Sequence, residues 1–252
     1  MASAQAWGIA EPSRLGDRQR GVRELMTSIA ALLLPFALMQ AAETAPSAGA
    51  SHVQERFAAC VAQIDADAER AYEDAMAWAS EAQSVYAYRC AAMALIGQNR
   101  NDEGARRLDS LAMALNPIDT GLRAELFSQA GNAWLLAREP GRARSSFTRG
   151  IAIMEADPTQ LPDLLIDRSR AYAMEAEWRL AEEDLSRALD VRANDPLALR
   201  LRAAARIQQR AWDLAEADAQ AAVTAEPSNV DNYLILGHVR ESRRTGEPVM
   251  MQ

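Results

Sequence analysis

Few side chains in this chain are of the types that commonly catalyse reactions or hold metal ions. The soft metal-ligand inventory is Cys60, Cys90, His52 and His238, and no C-x-x-C or H-E-x-x-H spacing joins them. All 27 basic residues are arginine, so the chain has no lysine for a Schiff base or a phosphate loop. This inventory predicts no metal site and no cofactor.

Acid–base arrangements are equally sparse. The sequence has no Ser–His–Asp order, glycine-rich phosphate loop or nucleophile elbow. His238 is a lone histidine on a predicted helix, where packing or partner contact is commoner than base catalysis. Acids such as Glu177, Glu182, Glu183 and Asp184 fall on outward helix positions with arginines one turn away, as on a solvated face. We therefore predict that the protein is not an enzyme, with an unrecognised active site as the alternative.

The composition indicates packed helices and argues against a nucleic-acid partner. The chain is 49% hydrophobic but only 6% aromatic, and much of the hydrophobic fraction is alanine, which favours helices over sheets. The net charge is −8, with no arginine-dense stripe interleaved with aromatic residues, which argues against a nucleic-acid partner. Neither observation indicates a small-molecule substrate.

The first 42 residues are typical of a secretory signal peptide. An apolar run, IAALLLPFAL at 29–38, follows Arg20 and Arg23 and precedes small and polar residues. This order predicts export from a bacterial cell to the periplasm or the medium, because the run is too short for a helix that spans a bilayer. The alternatives are a retained membrane anchor and a helix that belongs to the fold. A translation start nearer Val22 or Met26 would shorten the leader.

The strongest signal in the chain is an internal repeat between residues 165 and 227. Two copies of one pattern lie 34 residues apart, so that Trp178 superposes on Trp212 and Ala188 on Ala222. A fixed period of this length is typical of a solenoid built from one supersecondary unit. Small residues at the repeated positions allow two helices to approach closely, and large residues fill the space around them.

Turn signals divide the chain into successive helical units. Asp195 before Pro196, for example, predicts an N-cap at the start of a helix. The predicted organisation is a signal peptide (1–42), a linker (43–51), degenerate helical repeats (52–123), three clear repeats (124–157, 162–195 and 196–229), a capping helix (230–243) and a disordered tail (244–252).

The best-preserved units resemble the tetratricopeptide repeat family. The first clear repeat carries Phe127, Ala130-Gly131, Trp134, Ala143 and Phe147 at the positions of that family's signature. The resemblance is clearest over 124–243 and implies an all-α fold, a right-handed α-solenoid of stacked helix-turn-helix repeats. Arg206 departs from the pattern, since the family prefers tyrosine at its position.

The resemblance also implies a function and a site. In this family the first helices of successive repeats line a concave groove that takes a peptide or a partner's helix, which makes this chain a scaffold for another protein. Apolar and arginine positions together would hold an amphipathic segment and anchor an acidic group. The family's groove positions that we single out here are Asn132, Ile166, Arg170, Arg200, Ile207, Leu234 and His238.

Two alternatives to this groove remain open. These residues could simply solvate a helical face, or the protein could be a structural subunit of an envelope complex or homo-oligomer that packs through the ends of its array. The lysine, arginine and asparagine clamp of chaperone-binding relatives is not expected, because only Asn132 matches it.

Cys60 and Cys90 lie 30 residues apart, on the first helices of adjacent predicted pairs. In an exported protein they could form a disulfide that fixes the degenerate end of the array. The alternative is that both are small residues buried in alanine-type packing.

Overall fold

The computed structural model describes residues 48–154 and 161–249, and the predicted signal peptide lies outside them. All regular secondary structure in these residues is α-helical, which confirms the predicted all-α class. The helices of the described residues are α1 (Ala48–Ala66), α2 (Ala68–Ala82), α3 (Val85–Gly97), α4 (Asn101–Ala114), α5 (Thr120–Leu136), α6 (Pro140–Met154), α7 (Leu161–Met174), α8 (Trp178–Val191), α9 (Pro196–Gln208), α10 (Trp212–Ala225) and α11 (Val230–Thr245).

The helices pack chiefly against their neighbours in sequence, as successive pairs. Four pairs, α3–α4 to α9–α10, are each closed by a three-residue turn. The middle residue of each turn adopts the left-handed conformation, with φ between 58° and 61°, at Asn99, Arg138, Ala176 and Arg210. One hairpin geometry is therefore used four times, although none of these residues is glycine.

Small residues set the distance between the helices of a pair, as their spacing predicts. A β-carbon added to Gly131 on α5 would overlap the ring of Phe147 on α6. Ala143, Ala181 and Ala215 occupy one and the same repeat position on the second helices α6, α8 and α10, and all three are buried. Each pair consequently nests closely enough to bury its apolar face against the next pair.

Two buried arginine–aspartate pairs repeat with the same period. Arg168 on α7 donates two hydrogen bonds of 2.7 Å to Asp184 on α8. Arg202 on α9 donates bonds of 2.8 and 2.7 Å to Asp218 on α10. Asp184 is therefore buried and not on a solvated face, which corrects the interpretation of the sequence; a bidentate arginine compensates its lost hydration.

Arg206 stands where the tetratricopeptide repeat family prefers tyrosine, and it makes ionic contacts there. On α9 it holds the position that Tyr172 holds on α7, and it donates to Glu182 at 2.8 Å and to Asp218 at 2.7 Å. Burial acts to raise the pKa of Glu182, but hydrogen bonds from Arg206 and Gln209 outweigh it and hold that pKa below the usual value. Arg206 thus links two successive pairs.

The predicted helix start at Pro196 is confirmed. The side chain of Asp195 accepts a 3.0 Å hydrogen bond from the backbone N–H of Ala198, so Asp195 is the N-cap of α9. This bond satisfies one of the N–H groups that a helix leaves without an internal partner.

The C-terminal end is more ordered than the sequence predicts. The predicted tail begins at residue 244, but α11 extends to Thr245 and ends at Gly246, whose φ of 75° is left-handed. The chain then turns back, and the N–H of Val249 donates to the hydroxyl of Ser242 at 2.9 Å. A glycine cap and local hydrogen bonds thus hold part of the predicted tail against α11.

At the other end, α1 begins at Ala48, inside the predicted linker 43–51. Within 48–154 and 161–249 none of the helices is both long and apolar enough to cross a membrane.

Candidate partner-binding groove

An apolar groove crosses the first helices of three successive pairs, α1, α3 and α5. Its volume is about 410 Å³, and we call it the N-terminal groove. The lining residues are Val61, Ile64 and Asp65 of α1, Met93, Ile96 and Gly97 of α3, and Gln129, Asn132, Ala133 and Leu136 of α5.

The chemistry of the N-terminal groove suits an amphipathic segment. Most of the lining side chains are apolar, and Leu136 projects into solvent with 62% of its surface exposed. Asp65 is the charged member of the lining, while Gln129 and Asn132 add amide groups. An apolar surface with a few polar groups is typical of a site that binds a ligand of defined orientation.

Two links behind the groove fix its three helices. Cys60 on α1 and Cys90 on α3 are joined by a disulfide, with their Cα atoms 6.4 Å apart. Arg89 on α3 is buried and donates to Gln129 at 3.0 Å and to the carboxylate of Glu125, both on α5. Its guanidinium also lies 4.9 Å from the ring centre of Phe57 on α1, within cation–π range.

Asn132 and Arg170, both predicted groove residues, lie together on adjacent first helices. The amide of Asn132 donates to Asp167 at 2.8 Å and accepts from Arg170 at 3.2 Å. Arg170 also pairs with Asp167 at 3.2 Å. Burial raises the pKa of the Asp167 carboxyl above its usual value, although Asn132 and Arg170 act in the opposite direction.

Arg200 is likewise already partnered. It lies 3.3 Å from Asp231 and 3.5 Å from the amide oxygen of Asn232, both on α11. Arg170 and Arg200 therefore hold successive first helices together, which competes with the predicted anchoring of an acidic group.

Ile166 and Ile207 offer almost no surface to a partner, which corrects their assignment to the groove. Only 4% of Ile166 and 1% of Ile207 is exposed, and each packs in a core cluster. An apolar side chain at the edge of a helical face gains free energy by turning into the core. Arg200, at the register of Ile166, is only partly buried and pairs with Asp231.

Leu234 and His238 lie on α11, away from the residues that line the N-terminal groove. Leu234 is exposed and His238 is half-buried. The structure thus brings Asn132 to the groove and distributes the other predicted residues among helix contacts, the core and the surface of α11.

Sequence reasoning missed the lining of the N-terminal groove on α1 and α3. The signal present was the composition of α3, VYAYRCAAMALIG, whose charged residue is Arg89. A helix that is apolar on nearly every side must be covered by other helices or by a partner. The repeat signature is weak there, so positions could not be carried over from the family.

Comparisons with known proteins give the fold. No protein-family model and no curated protein matches the sequence. The solved MamA RS-1 ArsTM double mutant is 17% identical, covers 63% of this chain and 84% of its own, and superposes with a TM-score of 0.53.

Two TPR-domain structures are also similar, each with a TM-score of 0.44. The first TPR of Spaghetti (RPAP3), bound to an HSP90 peptide, is 25% identical over 48% of this chain and 93% of that one. The second TPR domain of human RPAP3, in complex with an HSP70 peptide, is 23% identical over 50% of this chain and 98% of that one. Helix pairs that repeat at 34 residues, with the likeness to the MamA structure, show that this chain has the fold of a tetratricopeptide-repeat array.

Proposed function

We propose that the protein is an exported scaffold that binds a peptide or a partner's helix in the N-terminal groove. The observation that carries this proposal is the apolar groove of about 410 Å³ formed by α1, α3 and α5. Stacked first helices offer a continuous surface, and their fixed spacing suits an elongated ligand.

The groove selects the chemistry of its ligand. Apolar side chains of the ligand would contact Val61, Met93 and Leu136, while the amide N–H groups of Gln129 would bond its polar groups. Asp65 favours a basic residue beside the apolar ones.

Export is the second part of this proposal. It is supported by the leader in residues 1–42 and by the disulfide between Cys60 and Cys90, since disulfides persist in oxidising compartments. Residues 1–42 fused to a reporter enzyme that is active only outside the cytoplasm should give activity. Leu33→Arg, which interrupts the apolar run, should abolish it. An inactive wild-type fusion would place the protein inside the cell, and equal activity of both fusions would show that the apolar run does not direct export.

Binding in the groove can be tested by selecting peptides from a random library against the purified protein. Leu136→Glu should weaken the selected peptides at least about tenfold, because it puts a charge into the apolar surface. Leu214→Glu on α10 is the matched control, since Leu214 is 53% exposed and lies outside the groove. The groove would be rejected if Leu136→Glu left peptide affinity unchanged while Leu214→Glu abolished binding.

A second candidate function is a structural subunit that assembles through the end of its array. One observation favours it: the last helix, α11, exposes Val230, Tyr233 and Leu234 on one side.

A further inference from the structure

Helix α11 is a first helix that no second helix follows in the described part of the chain. One of its faces carries Val230, Tyr233 and Gly237, which we call the open face. The residues at the same register of α5 are Ala124, Phe127 and Gly131, those of α7 are Pro162, Leu165 and Ser169, and those of α9 are Pro196, Leu199 and Ala203.

In the complete pairs this face is covered by the second helix. Phe127 is buried, and the ring of Phe147 from α6 fills the space over Gly131. On α11 the same face is uncovered: Val230 is 67% and Tyr233 50% exposed. No atom lies within 4 Å of a β-carbon built on Gly237.

The open face therefore has the types of side chain that form a helix–helix contact, but no helix covers it in the described residues. An aromatic residue and a glycine one turn apart are self-complementary, because the ring of one helix can lie over the glycine of another. With a two-fold axis between Tyr233 and Gly237, Tyr233 of each copy faces Gly237 of the other.

The helix dipole favours the same antiparallel arrangement, because the dipoles of two antiparallel helices oppose. The charged residues of α11 do not compete with it, since Asp231 pairs with Arg200, Arg240 with Glu216 and Arg244 with Glu241 inside one chain.

We propose that the open face of α11 is a dimer interface, where a second copy of this chain packs antiparallel with Tyr233 of each copy over Gly237 of the other. The interface is separate from the N-terminal groove, so each can fail without the other. Only one helix from each copy contributes, as in the small interfaces of weak complexes, so the dimer is expected to be concentration-dependent.

The first test measures the mass of the full chain by sedimentation over a series of concentrations. The wild-type protein should pass from monomer to dimer. Gly237→Leu should raise the dissociation constant about tenfold or more, because leucine occupies the space for the second copy's ring. Leu214→Glu, at a position of α10 that is as exposed as Tyr233, should leave the dissociation constant unchanged.

The second test fixes the register by cysteine cross-linking. The described residues contain no free cysteine, because Cys60 and Cys90 are bonded to each other. A chain with Tyr233→Cys mixed with a chain with Gly237→Cys should form a disulfide-linked heterodimer under mild oxidation. Each variant alone should cross-link far less.

Three results would overturn the proposal. One is a protein that stays monomeric at its highest soluble concentration, whether the open face is then covered by another protein's helix or by residues 1–47. Another is a dimer that forms equally well with Gly237→Leu. The third is cross-linking of the mixed cysteine variants no faster than of either one alone.

Discussion

At the scale of single residues, the buried arginine–aspartate pairs differ from the many ion pairs at the surface. Asp184 and its guanidinium partner Arg168 are both shielded from water, whereas Glu183 pairs with Arg179 in the open. A buried carboxylate loses its hydration, so each aspartate depends on its arginine.

This difference predicts opposite outcomes for two adjacent substitutions. Asp184→Ala should lower the free energy of unfolding by about 3 kcal/mol, because it leaves Arg168 without its bidentate partner. Glu183→Ala should change it by less than about 0.5 kcal/mol, as expected for an exposed pair. Urea unfolding followed by circular dichroism measures both. Similar losses for the two variants would contradict the buried pairing.

The carboxyl of Asp167 predicts a pH effect. Since burial raises its folded pKa above the unfolded value of about 3.9, the folded state binds this proton more tightly. The group's contribution to stability is therefore highest in acid and is lost as pH rises through the folded pKa.

Asp167→Asn removes this dependence. The free energy of unfolding of the variant, relative to the wild type, should increase as pH rises from below the unfolded pKa to neutrality. Matched urea titrations at a series of pH values measure the difference. A difference that shrinks with rising pH would show that the Arg170 contact, and not burial, controls this carboxyl.

At the scale of helices, one glycine register separates a packed position from an open one. Gly131 and Gly237 hold the same place on α5 and α11, but only Gly131 has a helix over it. Gly131→Ala should destabilise the protein by about 1–3 kcal/mol, because the added carbon overlaps the buried Phe147 ring.

The same change at Gly237 should have the opposite sign. Gly237→Ala should stabilise the monomer by about 0.5–1 kcal/mol, since alanine loses less backbone entropy in a helix. Thermal unfolding at low protein concentration compares the two variants. Destabilisation by both would mean that Gly237 is covered in the folded chain.

The helices were predictable from the sequence because their packing needs small residues at fixed intervals. Ala143, Ala181 and Ala215 recur at one repeat position, which indicated this packing, and the α9 boundary followed from Asp195. The groove residues were less predictable, since a shift of one position rotates a side chain by about 100° around a helix. For that reason Ile166 was assigned to the groove, although it is buried.

The repeated arginine–aspartate pairs were predictable from the sequence. Arg168 and Arg202, like Asp184 and Asp218, are 34 residues apart, so both partners carry the period. The N-terminal groove was beyond such reasoning. It depends on the disulfide and on Arg89, which position α1 against α3 and α5 where the repeat signature is weak.

At the scale of the whole array, the disulfide gives the two ends different kinds of support. The N-terminal end has a covalent link between α1 and α3, whereas the last pair and α11 rely on packing and ion pairs. In a repeat array, stability is close to a sum of units and their contacts, so loss of one link acts locally.

Removal of the disulfide should therefore loosen one end of the array and leave the other unchanged. Cys60→Ala with Cys90→Ala opens a loop of 30 residues, which in the chain-entropy account costs about 3–4 kcal/mol. Hydrogen exchange should quicken in α1 and α2, and peptides selected on the N-terminal groove should bind more weakly, because α1 supplies one of its walls. Exchange in α9 and α11 of the same sample is the internal control. Faster exchange along the entire array would show that it unfolds as one cooperative unit, and unchanged peptide binding would place the ligand away from α1.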